Sequence, residues 1–312
     1  MRRLLYHRVD VFTDRAFGGN PLGVFPNGRG LAGETMQAIA KEFNLSEVTF
    51  VLPPGDPACD YRVRIFTPDS ELPMAGHPTV GTAYVLAREH LIGPGEGGGE
   101  ARVTFEEGVG PVPVRVEYEA GTPVYAEMSQ PLPTFGPRLA DRRAAAEMLS
   151  LAEEDLDASL PVEVVSCGVP FLYVPLAGLD AARRARPRLD LIERVAGDRL
   201  PREVFAFTRE VEHAGSTVHS RMFAPGLGIT EDPATGGASG PLGSYLIRHG
   251  LVAPGPSVEV VSEQGLEMGR PSFINIRIET EGGAITAVRV GGKCHYMGEG
   301  FLEVDSRQAV AP

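Results

Sequence analysis

The sequence predicts an α+β protein in two pseudo-symmetric halves, each made of short strands wrapped on one apolar helix. Three observations carry this. Short apolar segments, alternating or continuous and bounded by Gly and Pro, recur along the chain and read as strands. Two stretches, Glu71 to Leu86 and Glu231 to Leu246, each join a proline-containing run of small residues to a helix. The first of these helices is apolar nearly all round, which places it inside a domain. The halves also resemble each other at three places in the same order. Gly19-Asn20-Pro21-Leu22 recurs loosely as Gly168-Val169-Pro170-Phe171, and Arg64-Ile65-Phe66-Thr67-Pro68 as Arg221-Met222-Phe223-Ala224-Pro225. Glu71, Pro73, Gly76 and Leu86 recur at Glu231, Pro233, Gly236 and Leu246, each 160 residues later. Three matches in one order favour a duplicated unit.

In chain order, Tyr6 to Phe12 alternates as a strand and leads through the turn-rich Thr13 to Pro21 into a second strand, Leu22 to Phe25. Gly33 to Phe43 places Met36, Ile39, Ala40 and Phe43 on one helical face. Glu47 follows at a helix-to-strand junction, ahead of the apolar strand Val48 to Leu52. Tyr61 to Phe66 is the next strand, then the first loop-to-helix stretch, running to about Glu89. Gly93 to Gly99 is a surface loop, and strands follow at Ala101 to Glu106, Val112 to Tyr118 and Val124 to Ser129. The prolines of Pro131 to Pro137 read as a linker, giving domains at 1–130 and 131–312, with the last strand free to return to the first. The second half opens with a polar helix, Ala140 to Leu149, and strands at Val162 to Ser166 and Phe171 to Pro175. A basic helix, Asp180 to Ala196, is interrupted by Pro187. Strands at Val204 to Thr208 and Thr217 to Phe223 precede the second loop-to-helix stretch. Four more, at Ser257 to Ser262, Ser272 to Glu279, Ile285 to Gly291 and Gly300 to Val304, complete the chain before a disordered tail of a few residues.

Composition narrows the function classes. Apolar residues make up 43% and charged ones 22%, as in an ordinary globular protein. A net charge of −12 argues against a nucleic-acid partner, whose binding rests on Lys and Arg. Arg142-Arg143 and the 183–186 cluster read as solvated helix faces. No segment approaches the roughly 20 apolar residues of a membrane span. The three cysteines, Cys59, Cys167 and Cys294, lack metal-ligand spacing, and the odd count without a leader suggests a reducing, cytoplasmic setting.

The chemistry is sought at the two loop-to-helix junctions. Small-residue runs expose backbone N–H groups, and a helix N-terminus adds attraction for an anion. If the domains pack face to face, Gly76 and Gly236 can hold one small carboxylate in a shared cleft. Near that cleft stand Glu47, His77 and Asp232; a carboxylate and an imidazole tuned by burial can move protons at neutral pH. No metal cluster, dinucleotide fingerprint, phosphate loop or nucleophile elbow appears. Cofactor-independent acid–base catalysis is left.

Five segments sharpen this: DVFTDRAFGGNPLGVF (Asp10 to Phe25), NLSEVTFV (Asn44 to Val51), RIFTPDSELPMAGHPTVGTA (Arg64 to Ala83), EDPATGGASGPLGSYL (Glu231 to Leu246) and EQGLEMGRPS (Glu263 to Ser272). Together they resemble the phenazine-biosynthesis PhzF family over nearly the whole chain. The resemblance implies a diaminopimelate epimerase-like fold, two pseudo-symmetric domains that are each a strand-rich barrel around a central helix. It implies an isomerase without metal or nucleotide, acting on a small carboxylate such as a dihydro-hydroxyanthranilate to give the ketone tautomer, and a homodimer. Glu47 is implied as the proton-transferring base, with catalytic His77 and Asp232 orienting the substrate and shuttling protons. Asn20, Gly76, Thr235, Gly236 and Gly237 are implied to bind it. The related epimerase has cysteines where Ala75 and Thr235 stand, so two-thiol racemisation is disfavoured. For Glu47 to act near neutrality its pKa must rise, with Leu45, Val48 and Phe50 as candidate apolar neighbours. Two alternatives stay open: an epimerase or racemase of the same fold, and a non-catalytic carboxylate-binding or scaffold protein.

Overall fold

In the computed structural model, which describes residues 1–95 and 98–305, the chain forms two compact units. One comprises Met1–Ser129 and the chain from Gly291 on; the other is Gln130–Val290. The centre of the expected glycine loop (96–97) and the expected disordered tail (306–312) lie outside the described residues.

In the first unit, β1 (Arg2–Val11) runs antiparallel to β2 (Asn20–Phe25). The helix α1 (Gly33–Phe43) crosses over to β3 (Glu47–Leu52), which lies parallel to β2. β4 (Tyr61–Phe66) is antiparallel to β3 and to the short β5 (Glu71–Leu72). The central helix α2 (Gly76–Arg88) follows, buried at every position from Gly76 to Ala87. β6 (Glu100–Glu107) pairs parallel with β4, and β7 (Gly110–Glu119) and β8 (Thr122–Gln130) extend the sheet as antiparallel strands.

The second unit repeats this order. β9 (Thr134–Leu139) pairs with β10 (Val162–Ser166), after a short helix, α3 (Arg142–Glu147). β11 (Pro170–Pro175) is antiparallel to β10; α4 (Leu179–Arg184) and α5 (Leu189–Ala196) cross over to β12 (Val204–Thr208), parallel to β11. β13 (Val218–Ala224), β14 (Ile229–Asp232), α6 (Gly236–Arg248), β15 (Ser257–Gln264) and β16 (Ser272–Glu281) then match β4, β5, α2, β6 and β7 in order and in strand sense. β17 (Ala284–Gly292) leads out, and β18 (Cys294–Val304) pairs along the length of β1 in the first unit.

One expectation is corrected. Pro131 to Pro137 is not simply a linker, because β9 starts at Thr134. Gly136 and Pro137 sit opposite the register shift between Glu163 and Val165, and a bulge tolerates a proline that cannot donate to the ladder. The basic helix is interrupted at Pro187 as expected, into α4 and α5.

The repeat extends to hydrogen bonds. Arg64 makes a two-pronged pair with Glu71 at 2.7 and 2.6 Å, and Arg221 makes the same pair with Glu231 at 2.8 Å for both prongs. Glu106 accepts the backbone N–H groups of Gly55 and Asp56 at 2.5 and 2.9 Å. Glu263 likewise accepts those of Glu212 and His213 at 2.6 and 3.0 Å. The positions 55, 56 and 106 correspond to 212, 213 and 263, each 157 residues on, and of the three only the glutamate is kept.

Each core is split by its sheet. One face of β12 (Phe205, Phe207) packs on Ala238, Leu242 and Tyr245 of α6, and the other (Val204, Ala206) on α3 to α5. In the first unit Val48 and Phe50 face α1, among Phe25, Met36 and Ile39. Thr49, on the opposite face of β3, hydrogen-bonds Thr82 of α2 at 2.8 Å. Glu47, two residues before Thr49, therefore starts on the α2 face.

Candidate active site

In the first unit, three expected residues come together at the entry to α2. A Cβ on Gly81 would lie 2.6 Å from both Leu22 and Val11, so this glycine lets α2 settle directly on β1 and β2. His77 sits one turn earlier on the same helical face, and Asn20 two residues before Leu22 on the same strand face. Asn20 Nδ2 thus reaches His77 Nδ1 at 3.1 Å. From β3, Glu47 Oε2 approaches His77 Nε2 at 3.2 Å, with the N–H not yet aligned on the carboxylate. Asn20, Glu47 and His77 are 0%, 7% and 2% exposed.

Burial pushes the His77 imidazole down to about 3, so the ring is neutral at physiological pH. An amide NH₂ can only donate, so Nδ1 accepts from Asn20 and the single ring proton is on Nε2, facing Glu47. His77 is therefore a hydrogen-bond donor toward the carboxylate, and its basic nitrogen is already occupied. The apolar neighbours expected for Glu47 need correction. Val48 and Phe50 point to the opposite face of β3, into the α1 core.

In the second unit, the entry to α6 holds a closed network. Gln264, at the end of β15 and fully buried, donates through Nε2 to the Asp232 carbonyl at 2.7 Å and to Thr235 Oγ1 at 3.0 Å. Its Oε1 accepts the Thr235 N–H at 3.1 Å. Since Gln264 donates to the Thr235 hydroxyl, that hydroxyl's own proton goes to Asp232 Oδ2, 2.5 Å away. Asp232 and Thr235 are 4% and 9% exposed. Glu231, the other member of the acid pair, is taken up by Arg221.

Gly76 begins α2 and Gly236-Gly237 begin α6; neither N-cap residue, Ala75 or Thr235, caps its helix with a side chain. Both first turns thus present backbone N–H groups of the kind that hold a carboxylate. Gln264 escaped the sequence reading as a site residue. Its signal was position: it ends an alternating strand and precedes Gly265, whose φ is 75° and whose Cβ would strike Pro233.

Comparison with known proteins identifies the family. A family model described as phenazine biosynthesis-like protein matches residues 9–300. An isomerase of Mesorhizobium japonicum is 39% identical over 306 residues, covering 95% of this chain and 98% of that one. A trans-2,3-dihydro-3-hydroxyanthranilate isomerase of Pseudomonas aeruginosa is 37% identical over 297 residues, 95% of this chain and 98% of its own. Among solved structures, a PhzF-family protein of Bacillus anthracis superposes with a TM-score of 0.87 at 27% identity, over 97% of this chain and 100% of that one. A hydroxyproline epimerase of Agrobacterium vitis shares the fold alone, with a TM-score of 0.65 at 14% identity over 97% and 91% of the two chains. The α+β chain is an isomerase, and it belongs to the phenazine biosynthesis-like (PhzC-PhzF) family.

Proposed function

We propose that this isomerase performs a cofactor-independent proton transfer, a tautomerisation, on a small cyclic carboxylate, with Glu47 as the base. The observation that carries this reading is the buried Glu47 carboxylate set against a neutral imidazole N–H. Glu47 removes a proton from carbon and returns it elsewhere on the same substrate. His77 donates from Nε2, holding the carboxylate in place and steadying its charge between the two transfers. The Gly76, Gly236 and Gly237 N–H groups hold the substrate carboxylate, while Asp232 and Thr235 orient a polar group on it. Helix ends and N–H donors in a water-poor site stabilise the delocalised charge of the deprotonated intermediate. Neither Ala75 nor Thr235 carries a thiol, so two-thiol racemisation has no acid or base here.

The name of the Pseudomonas aeruginosa relative supplies the first substrate to try, trans-2,3-dihydro-3-hydroxyanthranilate. Incubated with it after exhaustive chelation and without added nucleotide, the protein should form the ketone tautomer. Glu47→Gln should lower turnover by at least ~100-fold, the lower end for general acid–base catalysis. Turnover of that variant within about tenfold of wild type, roughly 1.4 kcal/mol of barrier, would remove Glu47 from the role of base. Proton exchange on another cyclic carboxylate, with no turnover of this one, would keep the chemistry and change the substrate.

A further inference from the structure

Glu107 ends β6 as Gln264 ends β15, 157 residues later, and the two places match in detail. Each is followed by a glycine whose Cβ would strike a proline of the adjacent loop, Gly108 against Pro73 and Gly265 against Pro233. Each reaches the entry of its unit's central helix. Glu107 Oε1 lies 2.6 Å from the Thr79 hydroxyl, and that hydroxyl lies 2.6 Å from the Ala75 carbonyl.

Counting hydrogens decides the protonation state. A threonine hydroxyl has one proton to give, yet Thr79 Oγ1 has two oxygen partners at hydrogen-bond distance. The Ala75 carbonyl cannot donate, so it must receive the Thr79 proton. The contact to Glu107 then needs a proton from the carboxyl side. Glu107 Oε2 is buried without a hydrogen-bond partner among the described residues, a place that suits the carbonyl oxygen of an acid and penalises half of a carboxylate.

We propose that Glu107 is a protonated, neutral positioning residue of the first half-site, doing with a carboxylic acid what Gln264 does with an amide. An acid and a primary amide each offer a donor on one atom and an acceptor on the other. The chain Glu107 to Thr79 to Ala75 fixes the first turn of α2, from which Gly76 and His77 reach the site. Ionisation would pull the Thr79 proton away from Ala75 and loosen that turn.

The surroundings agree. Thr79 faces Glu107 from α2, Pro73 faces the adjoining Gly108 from the preceding loop, and Gly110 lies opposite across the β6–β7 pair. His77, two residues before Thr79, is neutral. Arg62 on β4 pairs with Glu106, on the other face of β6. Among the described residues no cationic partner opposes burial, which pushes the Glu107 carboxyl up to about 8.

The protonation state can be tested without any substrate, so the result stands apart from the isomerase reading, on which only the positioning role rests. The full chain, labelled with ¹³C at glutamate carboxyls, is titrated from pH 5 to 10 by NMR, with Glu107→Gln assigning the resonance. A midpoint near 8 is expected; a Glu107 carboxyl ionised by about pH 5, as in a free side chain, overturns the proposal. Urea midpoints provide the second measurement. Wild type should lose stability between pH 5 and 8, while Glu107→Gln should lose less and match or exceed wild type at pH 9. Glu107→Gln less stable than wild type at every pH would also overturn it. For the positioning role, Glu107→Ala should lower turnover of trans-2,3-dihydro-3-hydroxyanthranilate by at least tenfold and Glu107→Gln should restore it, flattening the alkaline fall. Equal losses in both variants would sink that role while leaving the titration result intact.

Discussion

The two helix entries share one plan and differ in what fills it. Where the first unit has Asn20, Glu47 and His77, the repeat gives the second Val169, Glu203 and Gly237. Glu203 keeps the carboxylate of the first unit's motif but is half-exposed, and a glycine, Gly237, stands at the position of His77. Conversely, Asp232, Thr235 and Gln264 stand where the first unit has Leu72, Ala75 and Glu107. The first entry holds a carboxylate and imidazole poised but not aligned; the second holds a network in which each named donor has its acceptor. A base must change its protonation state during turnover, and a satisfied network resists such change. The function proposed above assigns the proton transfer to the first unit's residues and the grip on the substrate to the second's.

The largest break in the symmetry concerns stability. Arg221 is 3% exposed and also donates to the Ala182 and Ala185 carbonyls, whereas Arg64 and Glu71 are 22% and 42% exposed. Arg221→Ala strands a half-buried carboxylate and two carbonyls, and should cost about 3–5 kcal/mol in chemical denaturation. Arg64→Ala should cost less than about 1 kcal/mol. Equal losses would mean that the two clamps carry equal load.

Next comes the division of labour. His77→Ala should lower kcat by roughly 100-fold with a smaller effect on KM, because it removes the donor that steadies Glu47. Thr235→Val, near-isosteric and without a hydroxyl, should raise KM by about tenfold, roughly 1.4 kcal/mol, with kcat less affected. Steady-state kinetics on the same substrate decides, and the reverse pattern would exchange the roles of the two units.

Much of this architecture was legible in the sequence because local rules and the global fold agree in it. The 160-residue spacing of Glu71, Gly76 and Leu86 against Glu231, Gly236 and Leu246 marked the duplicated helix entries. An all-round apolar pattern marked α2 as central, and it is buried along its length. What stayed hidden depends on pairing at a distance. Alternation in β18 cannot say that its partner is β1, almost 300 residues earlier, and three prolines in 131–137 conceal a strand whose bulge accommodates one of them. His77 and Glu47 could be named from motifs, but only geometry shows the Asn20 contact that makes His77 a donor. Glu107 and Gln264 stay hidden because the repeat changes residue type there: Glu-Gly in the first half answers Gln-Gly in the second, on the strand after the helix.

The smallest expected effect tests whether the second unit's rigidity depends on pH. Glu106 pairs with Arg62 in the first unit, and Glu263 with His219 in the second, at 3.0 Å. His219 is fully buried, with a carboxylate at each nitrogen, Glu263 on Nδ1 and Glu267 on Nε2. Burial opposes its charge, but hydrogen bonds to Glu267 and Glu263 outweigh it and raise its pKa above 6.5. A raised folded-state pKa means that the imidazolium's contribution is complete below the unfolded value of 6.5 and fades as pH rises through the folded value. Arg62 stays charged throughout, so the matching clasp in the first unit has no such dependence. Glu107 titrates in wild type and His219→Gln alike and cancels in their difference. The stability gap between these two proteins, from urea midpoints, should therefore be widest at pH 5–6 and narrow toward pH 9, by on the order of 1 kcal/mol. A gap that stays constant with pH would show that His219 packs in the core without carrying its charge.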